Sequence, residues 1–146
     1  MSDLRFKYAH AAIVVSDIER TVSFYEKAVG WKRLFARSYD DDSLGRGNGY
    51  GVPGKIVMGL LGGVPLEFVE MNVPLERKVS PVPHYGLMMC SVTVANLEPV
   101  RERLAAEGIP ITREVDIDSV KLIVVTDPDG QEIGIIEFSQ DAPKPY

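Results

Sequence analysis

Two stretches of the chain carry the same pattern of apolar and polar positions. His10-Ala-Ala-Ile-Val-Val-Ser-Asp17 runs into Ile18-Glu19, and Met89-Cys-Ser-Val-Thr-Val-Ala-Asn96 runs into Leu97-Glu98. Each is an apolar, β-branched run that stops at a polar capping residue, and the offset is 79 residues throughout. Such runs predict strands. A helix is predicted after each. In the first copy Ile18, Val22, Tyr25 and Val29 share one helical face, Ser16 and Glu19 have capping-box spacing, and Gly30 is placed to end the helix. In the second, Asn96 is the expected cap, Leu97, Val100 and Leu104 form the stripe, and Gly108 ends it.

Three strands are predicted after each helix: 31–38, 55–61 and 65–71 in the first copy, then 110–117, 121–126 and 132–138 in the second. Asp127-Pro-Asp-Gly130 has turn chemistry between the last two, and Gly62-Gly63 stands at the matching place. The last strands align at an offset of 67, so the first copy holds about twelve more residues. They are assigned to the Asp- and Gly-rich stretch 39–54, read as a long loop that could act as a lid. The expected fold class is α+β, with two tandem βαβββ modules, 8–71 and 86–139, in one domain spanning 1–146. A Pro-containing linker, 72–85, joins them, and the tail 140–146 is expected to lie outside the fold.

Composition adds exclusions. The formal charge of −5 disfavours nucleic acid and anionic membranes as partners. No stretch approaches the roughly 18 apolar residues that span a bilayer. Cys90 is the only cysteine, so an internal disulfide is impossible and a reducing compartment fits. Residues 1–7 lack the apolar run of a signal peptide, and the expected location is the cytoplasm.

The stretch His10-x-x-Ile13-x-Val15-x-Asp17-Ile18-Glu19-Arg20-Thr21-x-x-Phe24-Tyr25, ending in Gly30-Trp31, resembles the opening motif of the vicinal-oxygen-chelate (glyoxalase/bleomycin-resistance/dioxygenase) superfamily. Asp127-Pro-Asp-Gly130-x-x-Ile133 resembles its closing motif, so the likeness runs from about His10 to Glu137. It implies curved mixed sheets around open, barrel-like cavities, and chains that pair as homodimers. It implies a small-molecule ligand, but not which chemistry, since one fold hosts many.

Family enzymes hold a divalent metal with side chains from the first and last strands. By resemblance His10 and Glu67 fall on the first two ligand positions, and Met89 and Gly134 on the other two. A thioether is a poor ligand for such a metal and glycine offers no side chain. Only two of four positions are therefore kept, against the three protein ligands of an ordinary catalytic zinc. Glu132 and His84 are the residues that could complete the set.

Alternation puts His10, Ala12 and Val14 on one strand face, the cavity face if the fold is right. An imidazole and a carboxylate on one apolar face are natural acid–base partners, so His10 and Glu67 are also the candidate catalytic pair. Met58, Leu60, Met89, Ser91, Thr93 and Gly134 are expected to line the pocket, with Tyr50 on the lid loop above it. Cys90 falls on the helix-packing face and reads as an inert core residue. Glu70 and Glu137 match each other but have the wrong parity for the cavity, and read as strand-end surface charges. Asp40-Asp41-Asp42 reads as a solvated loop cluster.

The leading expectation is an isomerase, epimerase or lyase that moves a proton next to the carbonyl of a small, fairly apolar metabolite. The broken ligand set argues against glyoxalase I, an extradiol dioxygenase and a fosfomycin-directed thiol transferase. The alternative is a metal-free drug- or metabolite-binding protein of the bleomycin-resistance type.

Overall fold

The computed structural model describes residues 5–39, 52–76, 86–117 and 119–140. Ten elements follow in order: β1 (Ala11–Val14), α1 (Ile18–Val29), β2 (Lys32–Tyr39), β3 (Gly54–Leu61), β4 (Val64–Met71), β5 (Met89–Val94), α2 (Glu98–Ala106), β6 (Arg113–Ile117), β7 (Val120–Thr126) and β8 (Glu132–Phe138). They form two four-stranded sheets of matching topology, ordered β1-β4-β3-β2 and β5-β8-β7-β6. In each, the first strand lies parallel to the last and the remaining pairs are antiparallel. The expected repeat is present, but the sheets stay separate and do not close into a barrel. Among the described residues no helix is long and apolar enough to cross a membrane.

The helix ends show how the modules are wired. Asp17, not Ser16, caps α1: its carboxylate accepts from the Arg20 N–H at 2.9 Å. The expected capping box fails because Ser16 is spent elsewhere, its N–H and hydroxyl both donating to Asp129 of the second module. Leu97, not Asn96, holds the N-cap position of α2 and makes no side-chain cap bond, while Asn96 accepts from the Glu98 N–H at 2.9 Å from one residue further out. Gly30 and Gly108 take left-handed φ values of 67° and 66° where the helices stop.

Glu70 and Glu137 are not idle surface charges. Glu70 accepts from the Ile18 N–H and Glu137 from the Leu97 N–H, each at 2.8 Å. The cause is topological. In each module the last strand runs parallel beside the first, so its end arrives next to the helix that the first strand feeds. A carboxylate there satisfies a free N–H and faces the positive end of the helix dipole.

One buried cluster unites the modules, joining Tyr25, Trp31 and Phe68 of the first to Ile123, Ile133 and Ile135 of the second. Its polar staple is Asp127, which accepts from the N–H groups of Asp129 and Gln131 and from the Tyr25 hydroxyl at 3.2 Å. Each sheet therefore turns one face into a shared core and the other away from it. Burial, and then the Asp127 charge, push the Tyr25 phenol far above its ordinary value of 10.0. The native chain keeps that proton while the unfolded chain loses it. The linked stability is thus intact below pH 10.0 and drains away above it, at about 1.4 kcal/mol per pH unit. Urea titrations from pH 8 to 11 should show this slope, and Tyr25→Phe should flatten it while losing about 1 kcal/mol at neutral pH. Equal slopes in both proteins would contradict the assignment.

Candidate functional site

Strand register builds the face on which His10 and Glu67 lie. Ala12 of β1 is in register with Glu67 of β4, which is in register with Met58 of β3, which pairs with Phe35 of β2. The next row is Val14, Val69, Ile56 and Arg37. His10 immediately precedes β1 and falls by alternation on the face of Ala12. Burial confirms the alternation: Ile13 and Val15 are buried in the core, while Ala12 and Val14 are exposed.

Among the described residues, no recess gathers His10 and Glu67 into a pocket shared between the half-domains. His10 is exposed, and Glu67, Met58 and Leu60 are partly buried. The modules join through their opposite faces, which leaves this one open. Toward one end, Ile56, Val69 and Met71 pack with Tyr39 and Val52 into a small apolar floor. Among the described residues, neither the His10 nor the Glu67 side chain has a hydrogen-bond or ion-pair partner. Tyr50, the lid segment 40–51 with its three aspartates, and His84 lie outside the described residues.

The equivalent face of the second module is built differently. Met89 is in register with Glu132, and Ser91 with Gly134. Ser91 and Thr93 are exposed, Met89 is partly buried and Gly134 is buried. A Cβ at residue 134 would lie 2.7 Å from Ser91 Oγ and 3.1 Å from both Met89 Sδ and Leu122 Cδ1. A serine, a thioether and a leucine thus occupy the space a ligating side chain would need. Glu132 is not available to replace it, because Arg113 grips both its oxygens at 2.9 Å. A bidentate fork of this kind competes directly with a metal for the carboxylate.

The donors present therefore do not fit the divalent-metal site that the fold family implies. His10 and Glu67 stand without a second-module pair, and no group of three or more His, Cys, Asp or Glu converges among the described residues. Cys90 packs against the core, where burial and the Asp127 charge raise its thiol above the ordinary range, as suits an inert residue. A recess of about 270 Å³ lies on the helix side, among Ala28, Val29, Val92, Val100, Arg103 and Ile135. None of the candidate pocket residues lines it.

Two residues of the open face escape a reading by alternation. Lys32 and Arg37 stand on edge strand β2, facing the same way as Met58 and Glu67. A bulge between Arg33 and Phe35 resets the strand's parity. Arg33, before it, points to the helix side and pairs with Glu19 of α1 at 2.7 Å. Phe35 and Arg37, after it, point to the open face.

Comparison with known proteins places the fold. No curated protein matches the chain. Solved structures do, all at low identity. A glyoxalase family protein from Bacillus cereus superposes with TM-score 0.80 at 22% identity, over 95% of this chain and 99% of that one. A glyoxylase/bleomycin resistance protein/dioxygenase domain from Frankia sp. EAN1pec gives TM-score 0.72 at 19% identity, over 95% and 96%. The fosfomycin resistance protein FosX from Listeria monocytogenes, in a mutant complexed with Mn(II) and 1S,2S-dihydroxypropylphosphonic acid, gives 0.65 at 15%, over 94% and 97%. The family model described as Glyoxalase/Bleomycin resistance protein/Dioxygenase superfamily matches residues 7–135. The chain belongs to the glyoxalase/bleomycin resistance/dioxygenase superfamily.

Proposed function

We propose that the protein is an enzyme of the isomerase, epimerase or lyase kind, which moves a proton at the carbon next to the carbonyl of a small, fairly apolar metabolite. The observation that carries this reading is the pair on one face: an imidazole just before β1 and a carboxylate on the adjacent β4, neither consumed by another side chain among the described residues. Chemistry of this kind needs one group to take a proton from carbon while another supplies one to oxygen. The C–H electron pair moves into the new C=C bond as the carbonyl π pair moves onto oxygen. Returning a proton to the opposite side of that carbon gives the epimer; where the carbon bears a hydroxyl, the proton goes to the former carbonyl carbon as the hydroxyl proton leaves, giving the isomer, and either route takes one proton back from oxygen. His10 and Glu67 fill the two roles, with Met58, Leu60 and Ala12 as apolar surroundings.

A pair with an exposed imidazole would act poorly, since water competes for every proton. We therefore place the working site in a cytoplasmic homodimer in which a second copy covers the open face. Val14 and Phe35 on that face are exposed by 46% and 43%, an apolar load that a partner would bury. In a two-fold pair, module one of each copy can face module two of the other, so both sites close at once. Ser91, Thr93, Met89 and Gly134 would then form the opposite wall.

The test is deuterium uptake next to the carbonyl, followed by NMR in D₂O over a panel of neutral and anionic ketones, with sedimentation alongside. Uptake above the buffer rate by a dimer, unaltered by EDTA, is expected. A monomer without uptake on any ketone would sink the enzyme reading. The broken second-module donor set also supports a binding protein of the bleomycin-resistance type; tight binding with no uptake would select it.

A further inference from the structure

The open face of the first module carries cations that no carboxylate among the described residues answers. Arg37 stands with its guanidinium carbon 5.3 Å from the centre of the Phe35 ring. Phe35 lies in the same register row as Met58 and Glu67, so the guanidinium is folded back over the row of the candidate catalytic carboxylate. Among the described residues no ion pair engages Arg37 or Lys32. This is unlike the chain's habit elsewhere. Acidic residues outnumber basic ones, 21 to 16, and the edge-strand arginines Arg33 and Arg113 are each held by a glutamate.

A guanidinium laid on an aromatic ring gains from the ring's negative face and keeps N–H donors at its edge for a planar oxyanion. Two strand spacings, about 10 Å, separate the backbones of β2 and β4. Arg37 and Glu67 share one sheet face across that distance, in adjacent register rows. We propose that Arg37, steadied by Phe35, is the anchor for a substrate carboxylate, and that the substrate class is an oxo acid. This rests on the proton-transfer reading for the reacting end only; the anchor itself is a matter of binding. It narrows the small, fairly apolar metabolite expected from the sequence to one that carries a carboxylate.

Binding of benzoylpropionate and benzoylbutyrate, each against its neutral amide, can be measured by calorimetry on the intact protein. The acids should bind wild type at least 10-fold more tightly than the amides. Arg37→Met should shrink that preference to under 3-fold with the melting temperature kept. Arg37→Lys should keep part of it, and Lys32→Met should leave most of it. Equal binding of acid and amide, no binding of either, or a preference that survives in Arg37→Met overturns the anchor. A preference that persists in Glu67→Gln, with no deuterium uptake by wild type, keeps the anchor and removes the proton-transfer reading alone.

Discussion

Replacing Glu67 by glutamine is expected to lower deuterium uptake by about 10²- to 10⁴-fold, the usual worth of a positioned acid or base. The amide is nearly isosteric and cannot take a proton at these pH values. Its effect on stability should be small, because the Glu67 side chain holds no hydrogen-bond or ion-pair partner among the described residues. His10→Ala should cost a similar factor, and His10 is exposed, so the fold should again be indifferent. The informative measurement is the double variant. Groups that work on one proton-transfer step are not additive, so losing both should cost little more than losing one. Full activity in either single variant would end the assignment. A multiplicative loss in the double variant would mean two separate roles, not a pair.

Much of the fold was legible because the repeat is written twice in the order of apolar runs, caps and terminating glycines. Alternation correctly sorted Ile13 and Val15 from Ala12 and Val14. Three things were not legible, each for a physical reason. Alternation says a strand has two faces but not which face meets the other module, so the open position of His10 could not be read. Strand ends carry no signal of their spatial neighbours; Glu70 and Glu137 became helix caps only once parallel pairing brought them beside Ile18 and Leu97. A bulge inverts parity without a mark in composition. Counting alternately from Arg33 sends Phe35 and Arg37 toward α1, whereas the shifted register sends them to Glu67. The same limit hid Glu132, whose availability to a metal depended on an arginine two strands away, across β7.

Trp31→Ala is expected to cost about 3–5 kcal/mol, the range for emptying a large aromatic site in a core. Trp31 is 2% exposed, its ring centre lies 5.2 Å from that of Phe68, and its indole N–H donates to the Leu66 carbonyl at 3.3 Å. The last contact matters beyond area, since truncation also strips a buried carbonyl of a donor. The indole rests directly on Gly59: a Cβ there would lie 2.1 Å from Trp31 Cζ2 and 2.5 Å from the Lys32 carbonyl oxygen. Gly59→Ala should therefore also destabilise, by 1–3 kcal/mol or more. A double-mutant cycle separates the two obstacles. If the indole were the whole of the conflict, alanine at 59 would become harmless once residue 31 is alanine. Because the Lys32 oxygen belongs to the paired backbone of β2, only part of the cost should vanish. Urea denaturation of the four proteins measures this. Complete relief would show that β2 yields at its bulge, and a Trp31→Ala loss below 1 kcal/mol would show that the first module does not depend on its tryptophan.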